Sequence, residues 1–178
     1  TWALAMAFEH ERIHLETSSV LIRELPVNLV KEPAAWPPYL TAPVAQISNP
    51  VAGRDYPNNE MVEISGCEVK IGKPRSWPSF GWDNEYGHDK RKVTDFRTSK
   101  FLISKGEFFE FVKSGGYEQK KNWSDSGWGW RQFRNVKWPT FWIQDGPAGS
   151  NRFKLRSTFA EIPMQWSWPA IVNSYEAK

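Results

Sequence analysis

The 178-residue chain is 40% hydrophobic, enough for a core, and its longest apolar run, near Trp2 to Phe8, is far too short to span a bilayer. Its 23 basic and 20 acidic residues nearly balance and are not concentrated on any one helix or patch, which argues against a nucleic-acid partner. The single cysteine, Cys67, cannot close an internal disulfide, which favours a reducing, cytoplasmic setting.

From Thr1 to about Glu24 the pattern is one amphipathic helix, stopped at Leu25-Pro26 because proline disfavours helix at the residue before it. The pattern is already helical at Thr1, and another helix pattern begins at Tyr175, so the sequence reads as an internal stretch of a longer protein. His10 and His14 stand four residues apart, hence about 40° apart and about 6 Å along the axis, close enough to share one ion. Ala3, Met6, Ile13, Thr17 and Leu21 share their stripe, while Arg12, Glu16, Ser19 and Arg23 project from the far side. The imidazoles are therefore expected to point into a core, where they need a metal or hydrogen-bond partners. A pair of satisfied structural histidines is the alternative.

From Pro26 to about Asn59 prolines recur (Pro33, Pro37, Pro38, Pro43, Pro50, Pro57) without helical periodicity, which predicts an extended surface connection and a domain boundary. Met61 to Gly72 alternates like a hairpin turning at Ser65-Gly66, with Cys67 as a buried thiol. Lys90-Arg91-Lys92, beside Asp83, Glu85 and Asp89, reads as a solvated mixed-charge loop, and Thr98 to Ile103 as a strand. A helix is predicted from Ser104 to about Lys113, with Ser104 as N-cap, Glu107 three residues on, Phe108, Phe111 and Val112 as its buried stripe, and Gly115-Gly116 as its end. Beyond Gly116 the chain turns irregular and rich in tryptophan, and few regular elements fit. The tryptophans there are expected to do the packing, with a carbohydrate-binding or base-stacking surface as the functional alternative.

His10-Glu11-Arg12-Ile13-His14 satisfies the H-E-x-x-H zinc-hydrolase pattern, with Glu11 as general base. The extension that follows the pattern in many such enzymes is absent, and Glu32, a conceivable third ligand, lies in the proline-rich connection. A non-haem iron site is the competing chemistry: three protein ligands on one face of an octahedron, with the other positions open. Glu16 lies about 200° around the helix from His14, so it is a poor third ligand and is assigned to the outer face.

The segment Ala5 to Ser19 resembles the metal helix of the DinB-like domain in the sulfoxide synthases of ergothioneine and ovothiol biosynthesis. Met61 to Gly72, Phe80 to Glu85, Phe111 to Tyr117, Trp123 to Trp130 and Pro169 to Asn173 resemble the formylglycine-generating-enzyme-type domain that follows it in that family. The wording around His10 and the Val172-Asn173 step is closer to the ovothiol branch, the 5-histidylcysteine sulfoxide synthases. The resemblance implies an α+β chain: residues 1–25 as the last helix of a DinB-like bundle, 26–59 as a linker, and 60–178 as part of a loop-rich, C-type-lectin-like domain. It implies Fe(II) held by His10 and His14 with a third histidine from an earlier helix, and cysteine, histidine and O2 as substrates. It places the catalytic tyrosine and much of the substrate-binding set beyond Lys178, so no tyrosine here inherits that role. The formylglycine-generating enzyme itself would need a reactive cysteine pair, and only Cys67 is present.

Overall fold

A computed structural model describes residues 1–40 and 44–178; Pro43 of the proline series lies outside them. The described chain is α+β and forms two compact units, one of residues 1–21 and 60–100, the other of residues 22–59 and 101–178.

The first unit contains most of helix α1 (Trp2–Glu24) and four strands, β1 (Met61–Ile64), β2 (Cys67–Ile71), β3 (Asp89–Val93) and β4 (Phe96–Ser99). The helix ends where expected, at Leu25-Pro26. The expected hairpin does not form. β1 pairs antiparallel with β4 and β2 with β3, and the register runs unbroken across the gap, Ile64 facing Phe96 and Cys67 facing Val93. The result is one long two-stranded ribbon interrupted at Ser65-Gly66. Gly66 does not have the positive φ of a hairpin turn; it is a point of close backbone approach, where a Cβ would lie 2.6 Å from the Val93 carbonyl oxygen. Its amide donates to Asp95 Oδ1 at 2.7 Å.

Three more expectations change with this ribbon. Cys67 is exposed; its strand belongs to a two-stranded sheet in which it pairs with β3. Lys90-Arg91-Lys92 belongs to strand β3, its charges answered by Lys90–Glu68 (3.1 Å) and Arg91–Asp89 (2.8 Å). The strand expected at Thr98–Ile103 is shifted to Phe96–Ser99.

The second unit contains α2 (Lys105–Lys113), α3 (Asp125–Arg134) and a three-stranded antiparallel meander of β5 (Trp142–Gln144), β6 (Phe153–Arg156) and β7 (Glu161–Pro163). α2 carries the predicted capping box: Ser104 Oγ accepts from the Glu107 amide at 3.1 Å, and the Glu107 carboxylate accepts from the Ser104 amide at 2.8 Å. It ends at Ser114, with Gly115 in the left-handed region at φ 76°. Its N-terminus is pinned to the chain's last stretch, since the Lys105 amide donates to the Trp168 carbonyl and the Gly106 amide to that of Trp166.

α3 was not expected, yet it is built by ordinary signals. Ser124 caps it by accepting from the Gly127 amide at 3.1 Å, and Asn135 closes it in the left-handed conformation at φ 49°. The core is aromatic: Phe109, fully buried, is surrounded by Trp166, Trp142 and Phe153 at ring-centroid distances of 4.8, 6.3 and 6.3 Å. Residues from before the ribbon join it. Tyr56 is buried in this core, Tyr39 and Ile47 pack on it, and the Trp166 indole donates to the Ile47 carbonyl at 2.8 Å.

Candidate functional site

Alanine, leucine and methionine over residues 3–7 favour helix, so α1 is continuous through His10 and His14 and fixes their relation. The two imidazoles lie on one face, ring centroids 4.4 Å apart and planes near-perpendicular at 89°. Arg12 and Glu9 pair at 2.7 Å as an i, i+3 contact, and Thr17 Oγ1 donates back to the Ile13 carbonyl at 2.9 Å. At the start of the helix Trp2 meets Phe80 in a tilted contact, ring centroids 5.2 Å apart, and Phe80 in turn meets Trp82 edge-on.

The expectation that the histidines point into a core is corrected, since both are exposed. An amphipathic helix buries its stripe only against another element, and the stripe residues Ile13 and Leu21 are also exposed. As donors, two neutral imidazoles one helical turn apart suit iron or zinc and supply two of the three ligands of a facial set. Among the described residues no group of three or more histidine, cysteine or acidic side chains completes it. Glu11 and Glu16 are exposed on the same helix, and Glu32 is exposed in the other unit.

Sequence reasoning passed over two buried polar arrangements in the second unit. Tyr117 donates to Glu176 Oε1 at 2.5 Å, and the other oxygen of that carboxylate accepts from the Asn173 amide at 2.9 Å. Burial, reinforced by Glu176, holds the Tyr117 phenol well above its ordinary range, so this contact ties Gly116-Tyr117 to the last stretch rather than supplying a proton donor. Lys105 is only 2% exposed; its ammonium donates to the Pro169 carbonyl at 3.0 Å and lies 5.3 Å from the Trp168 ring centre. Burial, then the charge of Arg23, lowers its pKa to about 8. Neither could be read from the sequence, because each depends on a partner about sixty residues away.

Fold and site together define a loop-rich, aromatic-cored α+β domain preceded by a helix with a paired-histidine face. The profile of the sulfatase-modifying factor enzyme 1-like domain (FGE-sulfatase) matches residues 48–154, and the chain belongs to that family. α1, with both histidines, lies outside this match. The chain is also similar to three proteins named hercynine oxygenase. It is 28% identical to that of Mycolicibacterium smegmatis over 142 residues, 80% of this chain and 30% of that protein. It is 27% identical to that of Mycolicibacterium thermoresistibile over 150 residues, 82% and 30% of the two chains. It is 31% identical to that of Mycobacterium tuberculosis over 83 residues, 47% and 20%. The chain thus spans less than a third of the length of these relatives. Among the described residues no helix is long and apolar enough to cross a membrane.

Proposed function

We propose that the protein is a cytoplasmic, Fe(II)-dependent sulfoxide synthase that joins the sulfur of cysteine to the imidazole carbon of histidine. The observation that carries this reading is the paired imidazole face of His10 and His14, on a helix that precedes a domain of the family above. The relatives' name, hercynine oxygenase, supports oxygenase chemistry on an imidazole-bearing substrate. In this reading residues 1–25 are the last helix of a DinB-like bundle and 26–59 the connection, whose final stretch is already inside the family match. Residues 60–178 then carry the rest of the second domain as far as this chain reaches.

The overall balance needs no external reductant. Cysteine thiol and imidazole C–H give up two hydrogens as the C–S bond forms, O2 places one oxygen on sulfur, and the other leaves as water. Iron would supply the open coordination positions at which thiolate and O2 meet. The chain's own contribution is to hold two neutral imidazole donors on one helical face, a turn apart, with α1 as the rigid spacer.

The complete protein, loaded anaerobically with Fe(II) and given cysteine, histidine and air, is expected to yield the cysteine–histidine sulfoxide by mass spectrometry. His14→Ala is expected to lose both iron content and product, and Glu11→Ala only a modest part of either. Retained iron and turnover in His14→Ala would remove the ligand assignment; near-total inactivation by Glu11→Ala would instead favour zinc-hydrolase chemistry. A second reading, the ergothioneine branch with a trimethylated histidine as acceptor and cysteine or its γ-glutamyl conjugate as donor, is favoured by the relatives' name. Product formed only with trimethylhistidine would establish it over the first.

A further inference from the structure

A cavity of the second unit, about 770 Å³, opens beside the C-terminal end of α3, and its chemistry is one-sided. Its walls are the rings of Trp130, Phe133 and Trp138; its polar groups include Arg134, Lys137 and Asn173; no carboxylate lines it. Among the described residues neither the Arg134 nor the Lys137 side chain has an ion-pair or hydrogen-bond partner, whereas Asp145 and Glu110 of the same unit are engaged elsewhere, Asp145 with Arg152 and Lys154, and Glu110 with Lys113. The Asn173 Oδ1 atom accepts from the Tyr175 and Glu176 amides, which turns its amide nitrogen away from those bonds as a further donor.

The cavity is preorganised rather than loose. Trp130 is held from behind by Tyr175 and Trp123, at 5.7 and 6.3 Å, and Trp138 by core residue Phe153 at 5.4 Å. The left-handed Asn135 fixes the turn between the two cations: its amide donates to the Gln132 carbonyl and that of Val136 to the Arg131 carbonyl. Phe133, which also lines the cavity, is by contrast 86% exposed. Aromatic walls bind a flat apolar body, and a guanidinium fork with an ammonium binds an oxyanion. The volume has room for a ligand of one or two fused rings with such a head group.

We propose that this cavity is a binding site for a small aromatic carboxylate, its ring between Trp130, Phe133 and Trp138 and its carboxylate on Arg134 and Lys137. The site uses no residue of the histidine helix and is independent of the reaction proposed above.

The test is calorimetric titration of the complete protein with 2-naphthoate and with its neutral counterpart 2-naphthamide. The acid is expected to bind at least tenfold more tightly than the amide, the preference shrinking in high salt. Arg134→Gln with Lys137→Gln should bring acid and amide to equal affinity, both positions being exposed so that the fold is undisturbed. Lys121→Gln, at an exposed lysine outside the cavity, should leave the preference intact. Equal affinity for acid and amide in the unaltered protein, an unchanged preference in the double variant, or an equal loss in Lys121→Gln would each overturn the assignment.

Discussion

Gly106→Ala sets two effects of opposite sign against each other inside one helix. Alanine is the better helix former by up to about 1 kcal/mol in a helix interior, so propensity alone predicts a more stable protein. The structure predicts the reverse. A Cβ at Gly106 would lie 2.1 Å from Tyr56 Cδ1 and 2.4 Å from its Cγ. Carbon contacts are optimal near 3.5–4.0 Å, so the ring would have to retreat by more than about 1 Å. Tyr56 is buried in the aromatic core and has little room to move, which makes this an overpacking substitution with a cost of about 1–3 kcal/mol. We expect a net loss of about 1–2 kcal/mol, read as a lower urea midpoint by the fluorescence of buried Trp142 and Trp166. In a Tyr56→Ala background the same change should be neutral or mildly stabilising, giving a coupling of about 2 kcal/mol. A stabilised single variant, or additive effects in the cycle, would show that Tyr56 does not pack on α2 and that residues 22–59 are not part of this unit.

Two further outcomes follow from burial and close approach. Lys105 has its folded-state pKa lowered to about 8, against an ordinary 10.5, so between those pH values the unfolded chain holds more protons than the folded one and stability rises with pH. We expect a gain of up to about 3 kcal/mol from pH 7.5 to 10.5, absent in Lys105→Met; urea midpoints with the same pH slope in both proteins would contradict this. Gly66→Ala would set a Cβ against the Val93 carbonyl and the Thr94–Asp95 backbone, and backbone cannot swing aside as a side chain can. Amide exchange in β1 through β4 should accelerate at least tenfold in that variant, and unchanged protection would show that the ribbon tolerates a side chain there.

Elements whose signals are local were legible in the sequence. α1 stops at its proline, and α2 is capped at Ser104 and closes at Ser114, just ahead of left-handed Gly115, because caps act within one turn. α3 has the same kind of signals, Ser124 ahead and Asn135 behind, but they were hidden by the tryptophans and glycines between them, which carry weak helix propensity. The ribbon was misread for a different reason. Alternation reports that a segment is a strand and nothing about its partner, and Ser65-Gly66 has the composition of a turn although Gly66 serves a close backbone approach. The histidine pair was legible as a pair, since spacing on a helix fixes angle and rise. Its surroundings were not, because burial belongs to whatever packs on the stripe.

The tryptophans show how function and packing compete for one residue type. Trp142 and Trp166 are 2% exposed and Trp123 is 9%, each of the last two with its indole nitrogen on a backbone carbonyl, so these rings serve as core, with a polar handle that a leucine would lack. Three short strands and two helices of nine and ten residues bury little by themselves, and large rings compensate by reaching across loops. The same rings become available to a ligand only where packing stops on one side. Trp130 and Trp138 are both half-buried, backed by Tyr175 and Phe153 and open toward Arg134 and Lys137. A tryptophan-rich stretch therefore yields a candidate surface at the place where cations without carboxylate partners meet rings with a free face, while Trp123, Trp142 and Trp166 serve as core.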